Sequence, residues 1–100
     1  MNVSISAKSL KAKLPPALYY NSHLEGSLGK PTGHGWHGWN GLCPFHNDRR
    51  KGSLYINAVT GGFYCFSCGA KGGDILNFHQ NRYGLSFRET LSQLGEASHA

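Results

Sequence analysis

Cys43-Pro44-Phe45-His46 and, after eighteen intervening residues, Cys65-Phe66-Ser67-Cys68 decide how this 100-residue chain folds. Each half holds two soft ligands three positions apart, the separation at which a tight knuckle of backbone presents both to one metal ion. Tetrahedral zinc takes thiolate sulfur and imidazole nitrogen, and structural sites are closed by four protein ligands. Cys43, His46, Cys65 and Cys68 supply four and use every cysteine in the chain. The pattern therefore predicts one structural zinc. A disulfide with a leftover thiol fits worse, because the cysteine count is odd and no secretory segment is visible. Catalytic use of the metal also fits worse, because the fourth protein ligand fills the position that chemistry needs open.

Between the ligand pairs, Leu54, Ile56 and Ala58 alternate with Ser53, Tyr55 and Asn57, the period of a half-buried strand. Thr60-Gly61-Gly62 turns the chain, and 63–66 returns antiparallel, carrying Cys65 and Cys68 toward Cys43 and His46. Upstream, the segment from Trp36 to Leu42 reads as a strand delivering Cys43. Downstream, Gly69 and Gly72-Gly73 permit the positive φ angles of a knuckle. Asp74 then caps a helix with Ile75, Leu76, Phe78 and Tyr83 on its apolar face, ended by Gly84. Ser86 and Glu89 form a capping box for a last helix, with Phe87, Leu91 and Leu94 at helical spacing and Gly95 as its close.

The expected fold is small α+β: a zinc ribbon, an antiparallel hairpin or sheet with zinc knuckles, followed by two short C-terminal helices. It occupies 36–95, with 96–100 a frayed tail and 1–35 a basic, partly helical extension ending in a glycine-rich loop. In that extension Lys8, Lys11 and Lys13 surround Leu10 and Leu14 in a short helix stopped by Pro15-Pro16. Pro16 opens a second helix through Ala17, Leu18, Tyr19, Tyr20 and Leu24. Residues 26–35 read as a loop or an irregular hairpin.

Lysine and arginine outnumber acids ten to five, a formal charge of +5 that three thiolates on one divalent ion lower by only one. That balance suits a polyanionic partner, although solubility alone also accounts for a modest positive charge. No apolar run approaches the ~18–20 residues of a membrane span, and a cytoplasmic protein is expected. A chain of this size buries only roughly 60–70 % of its unfolded surface. A structural zinc contributes an apparent ~10–16 kcal/mol in small fingers, so folding and metal loading should be coupled.

The run Gly41-Leu42-Cys43-Pro44-Phe45-His46, then Tyr64 through Ile75, Phe78 and Tyr83-Gly84-Leu85-Ser86-Phe87, closely resembles the N-terminal zinc-binding domain of bacterial and phage DnaG-type DNA primases. The resemblance runs from about Trp39 to Gly95. It implies that Cys43, His46, Cys65 and Cys68 hold the zinc, and that the nearby sheet surface faces single-stranded template while a separate domain polymerises. Two departures stand out. After the ligand histidine the family usually carries Lys-Thr-Pro-Ser-Phe, where this chain has Asp48-Arg49-Arg50-Lys51-Gly52-Ser53-Leu54, and the segment before Trp36 aligns with nothing in the family pattern.

Polymerase chemistry needs a carboxylate cluster holding magnesium. The only acids are Glu25, Asp48, Asp74, Glu89 and Glu96, with no D-x-D pair, so no catalysis by this chain alone is expected. Nucleic-acid contacts are expected instead from Arg49, Arg50 and Lys51, set beside a ligand, and from Lys71, with Arg82 and Arg88 as weaker choices. Tyr55 and Tyr64 are either stacking surfaces for bases or core, and Phe66 reads more as core. Phe45 should pack over the knuckle. Trp36 and Trp39 stay unassigned, His34 and His37 read as surface residues rather than a second metal site, and His23, His79 and His99 carry no signal.

The expected function is that of a zinc-dependent, single-stranded DNA-binding module of a primase or primase-like protein, encoded by a bacterium or phage. Its further partners would be a primase polymerase domain or subunit, or a replicative helicase, and no membrane. The alternative is a zinc-ribbon adaptor that docks a protein without touching DNA.

Overall fold

A computed structural model describes residue 11 and residues 13–99, with side chains through 95. The short helix expected before Pro15 falls largely outside the described residues. Helix α1 (Pro16–His23) is followed by strands β1 (Ser27–Gly33), β2 (Trp36–Asn40), β3 (Leu54–Asn57), β4 (Phe63–Cys65) and β5 (Lys71–Gly72), then helices α2 (Ile75–Tyr83) and α3 (Phe87–His99). The five strands form one antiparallel sheet in sequence order, the small α+β ribbon that the ligand spacing and strand alternation imply.

Strands β1 and β2 make the irregular hairpin, with register breaks between Leu28 and Pro31 and between Pro31 and Gly33. Their two-residue turn is His34-Gly35, with φ of 54° and 89°. Positive φ at both central residues is what a primed hairpin turn requires. Strand β5 was not anticipated. It is two residues long, and Lys71 pairs with Tyr64 while Gly72 pairs with Phe63.

Leu54, Ile56, Phe63 and Trp39 turn to one side of the sheet and meet Ile75, Leu76 and Phe78 of α2. Helix α1 completes this core. Pro16 stands in its first turn, where a missing N–H costs nothing, and Tyr19 and Tyr20 are buried. The Tyr20 hydroxyl donates to Gly61 O at 2.6 Å, and its ring meets Phe78 edge-on at 4.8 Å. Tyr19 packs on Phe78 and hydrogen-bonds His79 Nδ1 at 2.7 Å, while His79 Nε2 reaches Gln93 Oε1 at 2.9 Å. With Tyr19 donating to Nδ1, the ring carries its proton on Nε2 and donates it to Gln93. One side chain thus ties α1, α2 and α3 together. Burial raises both tyrosine pKa values above the usual phenol range, so these hydroxyls stay protonated donors.

Four local expectations need correction. Asn57, at an outward position by alternation, is buried because its amide donates to His34 O and its oxygen accepts from the N–H groups of Val59 and Thr60, shaping the β3–β4 turn. Tyr83 and Phe87, assigned to apolar helix faces, are exposed. His79, without a signal in sequence, takes the inward place on α2. Helix α3 does not close at Gly95 but continues to His99. Both capping expectations hold: Asp74 Oδ1 accepts from Asn77 N at 2.9 Å, and Ser86 and Glu89 exchange bonds at 3.0 and 2.9 Å.

Candidate metal centre and the adjoining sheet face

The β3–β4 hairpin brings the two halves of the ligand pattern together. Cys65 ends β4, and the chain then turns through Phe66-Ser67-Cys68 to Gly69, whose φ of 78° suits glycine and whose N–H donates to Cys65 O at 2.9 Å. The loop after β2 carries Cys43 and His46 to the same place. Sγ of Cys43 and Sγ of Cys68 are 4.0 Å apart, Sγ of Cys65 and Nδ1 of His46 are 3.9 Å apart, and all four ligand atoms lie within 4.8 Å of one another. Bonds of ~2.3 Å around a tetrahedral ion imply ligand separations of about 3.8 Å. The donor set and its spacing fit one zinc ion, which when bound would act as a four-armed cross-link with no open position. Cys43 and Cys65 are buried, whereas Cys68 lies at the surface.

The surroundings favour thiolate at one ligand over another. Burial opposes ionisation of Cys65, but the N–H groups of Cys68 and Ser67 help outweigh it, and the thiol comes down to about 7. Burial pushes Cys43 up to about 12, against partial relief from the Phe45 N–H, 3.5 Å from its sulfur. Metal binding must displace these protons.

Asp48 supports the centre from behind. Its Oδ2 accepts from the Cys43 N–H at 2.8 Å and the Ser53 hydroxyl at 3.2 Å, and its Oδ1 lies 3.4 Å from His46 Nε2. The ring is thereby turned with Nδ1 toward the ligand cluster, as carboxylate partners orient metal-bound imidazoles. Phe45 stacks on Phe63 at 5.4 Å and meets Phe78 edge-on, as its packing role required.

The face of the sheet opposite the core carries a different chemistry. Gly38, Tyr55, Tyr64 and Lys71 pair in register across β2, β3, β4 and β5, so they form one transverse row. Phe66 joins the two tyrosines, with ring centroids 5.1 Å from Tyr55 and 4.7 Å from Tyr64. It is 70 % exposed. The expectation that Phe66 reads more as core fails because the knuckle between Cys65 and Cys68 turns outward, which residue type alone does not reveal. A groove of about 980 Å³ opens here, lined by Trp36, Tyr55, Tyr64, Phe66, Lys71 and the Gly72-Gly73 backbone among others. Of the two tryptophans, Trp36 thus faces this groove and Trp39 is core. Arg49, Arg50 and Lys51 are exposed on the loop beyond His46, and Lys71 is exposed on β5. Among the described residues, none of these cations pairs with an acid.

Sheet, knuckles and four converging ligands define a zinc ribbon. Residues 30–100 match the model of the CHC2 zinc finger, the zinc ribbon of DnaG, and the chain belongs to that family. Over 60 residues it is 38 % identical to a DNA primase of Borreliella burgdorferi, covering 60 % of this chain and 11 % of that protein. It is 40 % identical over 55 residues to a DNA primase of Thermotoga maritima, covering 55 % and 9 %, and 41 % identical over 59 residues to one of Enterococcus faecalis, covering 59 % and 9 %. The chain therefore spans about a tenth of the length of these relatives. No described helix is long and apolar enough to cross a membrane.

Proposed function

We propose that this chain is the zinc-dependent, single-stranded DNA-binding module of a DNA primase or primase-like replication protein, contributing template recognition. The observation that carries the reading is the cluster of half-buried Tyr55 and Tyr64 with exposed Phe66, built onto the metal knuckle and flanked by cations that pair with no acid among the described residues. Exposed aromatic rings seat unstacked bases at ~1–3 kcal/mol each, and cations hold the backbone. In this reading Tyr55 and Tyr64 stack, Lys71 meets phosphate at one end of the groove, and Arg49, Arg50 and Lys51 supply further charge. A separate polymerase domain or subunit does the chemistry, and a replicative helicase is a second natural partner.

The chain by itself is proposed to be non-catalytic. Asp48 serves the metal centre, Asp74 and Glu89 cap helices, and among the described residues no carboxylates gather where magnesium could be held.

Titration of fluorescent single strands at several salt concentrations tests the binding claim. Neutralising three or four phosphates gives a log–log salt slope of roughly −2 to −3. Replacing Arg49 and Arg50 by alanine should flatten that slope and weaken all sequences alike. Tyr64→Ala should cost about 1–3 kcal/mol with the slope unchanged, the mark of lost stacking. Absence of binding by the zinc-loaded wild type at low salt would overturn the proposal.

A further inference from the structure

We infer that a single strand crosses this face perpendicular to the β-strands, from Lys71 at one edge of the sheet to Lys30 at the other, and that the β1–β2 hairpin forms the far half of its trough. This rests on the single-strand reading above and adds the direction, the extent and the β1–β2 hairpin as a contact segment.

The groove over Tyr55 and Tyr64 does not end at β3. A second depression of about 370 Å³ lies beside it over β1 and β2, and Thr32 and Tyr55 line both. Gly38 is the floor between them. It sits opposite Tyr55 in the register, and a Cβ there would lie 3.8 Å from the Tyr55 ring. A longer side chain at 38 would raise a wall across the trough, whereas glycine leaves it open.

The positions of charge choose between a transverse path and one along the strands. Lys30 and Lys51 line the second depression, and Lys71 lines the first, so cations stand at both transverse ends. A path along the strands away from the metal would run out over 58–62, which is Ala-Val-Thr-Gly-Gly and offers phosphate no cation. Acids do not compete for these lysines. Among the described residues the only ion pairs are Lys11 with Asp74 and His46 with Asp48, and none of these four residues lines the trough.

From β1 to β5 there are four strand spacings, about 19 Å at ~4.8 Å each. That accommodates on the order of four nucleotides, the low end for small single-strand-binding folds.

The test is a length series of fluorescent oligothymidylates titrated against zinc-loaded protein at several salt concentrations. Wild-type affinity should rise up to about four nucleotides and then level off. Lys30→Ala and Lys71→Ala should each reduce the salt slope by about 0.7 for the longer oligomers. Lys30→Glu should weaken binding further, while the shortest oligomers, which the tyrosines alone can seat, should respond little to either change at Lys30. Lys30 is exposed on a bulged strand and pairs with no acid among the described residues, so zinc content and melting should match wild type. If both Lys30 variants bind every length like wild type while Lys71→Ala is weakened, the strand does not reach the hairpin. The transverse path then falls and the single-strand reading stands. If wild type binds none of the oligomers, both fall.

Discussion

Asp48 touches three groups that shape the metal site: the Cys43 N–H, the Ser53 hydroxyl and the His46 ring. These donors hold its carboxyl below the usual range, with the Cys43 N–H the largest influence. Asparagine in its place can offer only one accepting oxygen and no charge. Asp48→Asn is therefore expected to weaken zinc affinity about 10–100-fold, the usual cost of losing a partner behind a ligand. Competition with a chromophoric zinc chelator measures it, and an unchanged affinity would remove Asp48 from this role. The four ligands were readable because their chemistry is carried by type and spacing, both visible in a linear chain. Asp48, Asn57 and His79 were not readable for the opposite reason. Each owes its place to how the chain is folded around it: Asp48 to the loop that curls Cys43 and Ser53 back onto it, Asn57 to His34 across the sheet, and His79 to Tyr19 and Gln93 of two other helices.

Helix α2 begins on Asp74, whose carboxylate accepts the Asn77 N–H and lies 3.2 Å from Lys11 Nζ. Asp74→Ala should cost about 1 kcal/mol in denaturant unfolding of the zinc-loaded protein. Partial burial pushes the Asp74 carboxyl up, but the bonds from Asn77 and Lys11 outweigh it, and the Ser86 N–H lowers Glu89. Both folded values lie below the unfolded ones. The stability these caps contribute is thus complete above roughly pH 4–4.5 and is lost as pH falls through the depressed folded values. Strand β5 is bound to the core differently. A Cβ on Gly72 would fall 2.5 Å from Phe63 Cε1 and 2.8 Å from Asn77 Cβ. Gly72→Ala should cost about 1–3 kcal/mol by overpacking, read from the same unfolding curves. Strands β3 and β4 were legible in alternation and the caps in residue type, but two residues are too short for any period, so β5 escaped notice. Gly95 read as a stop because glycine disfavours helix, yet its cost of about 1 kcal/mol is small enough for a packed helix to absorb.

The core joins α1, the sheet and α2, and its hydrophobic residues reach the zinc ligands without a break through Cys43, Cys65 and Phe45. With so few large buried side chains, the metal should decide whether the molecule folds. Purified protein is expected to carry one zinc, and chelation should abolish the near-ultraviolet circular dichroism of its buried aromatics. Cys65→Ser should resemble the chelated protein, and a metal-free chain that keeps its native spectrum would refute the coupling. Phe66, held between two of the ligands, draws one more consequence from this arrangement. The surface proposed to receive bases has no intermediate setting: each molecule either possesses its third ring in place or lacks the platform altogether. In a sample short of metal, the number of competent molecules should decline while the affinity of each remains constant, so zinc supply would act as a census of binders rather than a dial on their strength.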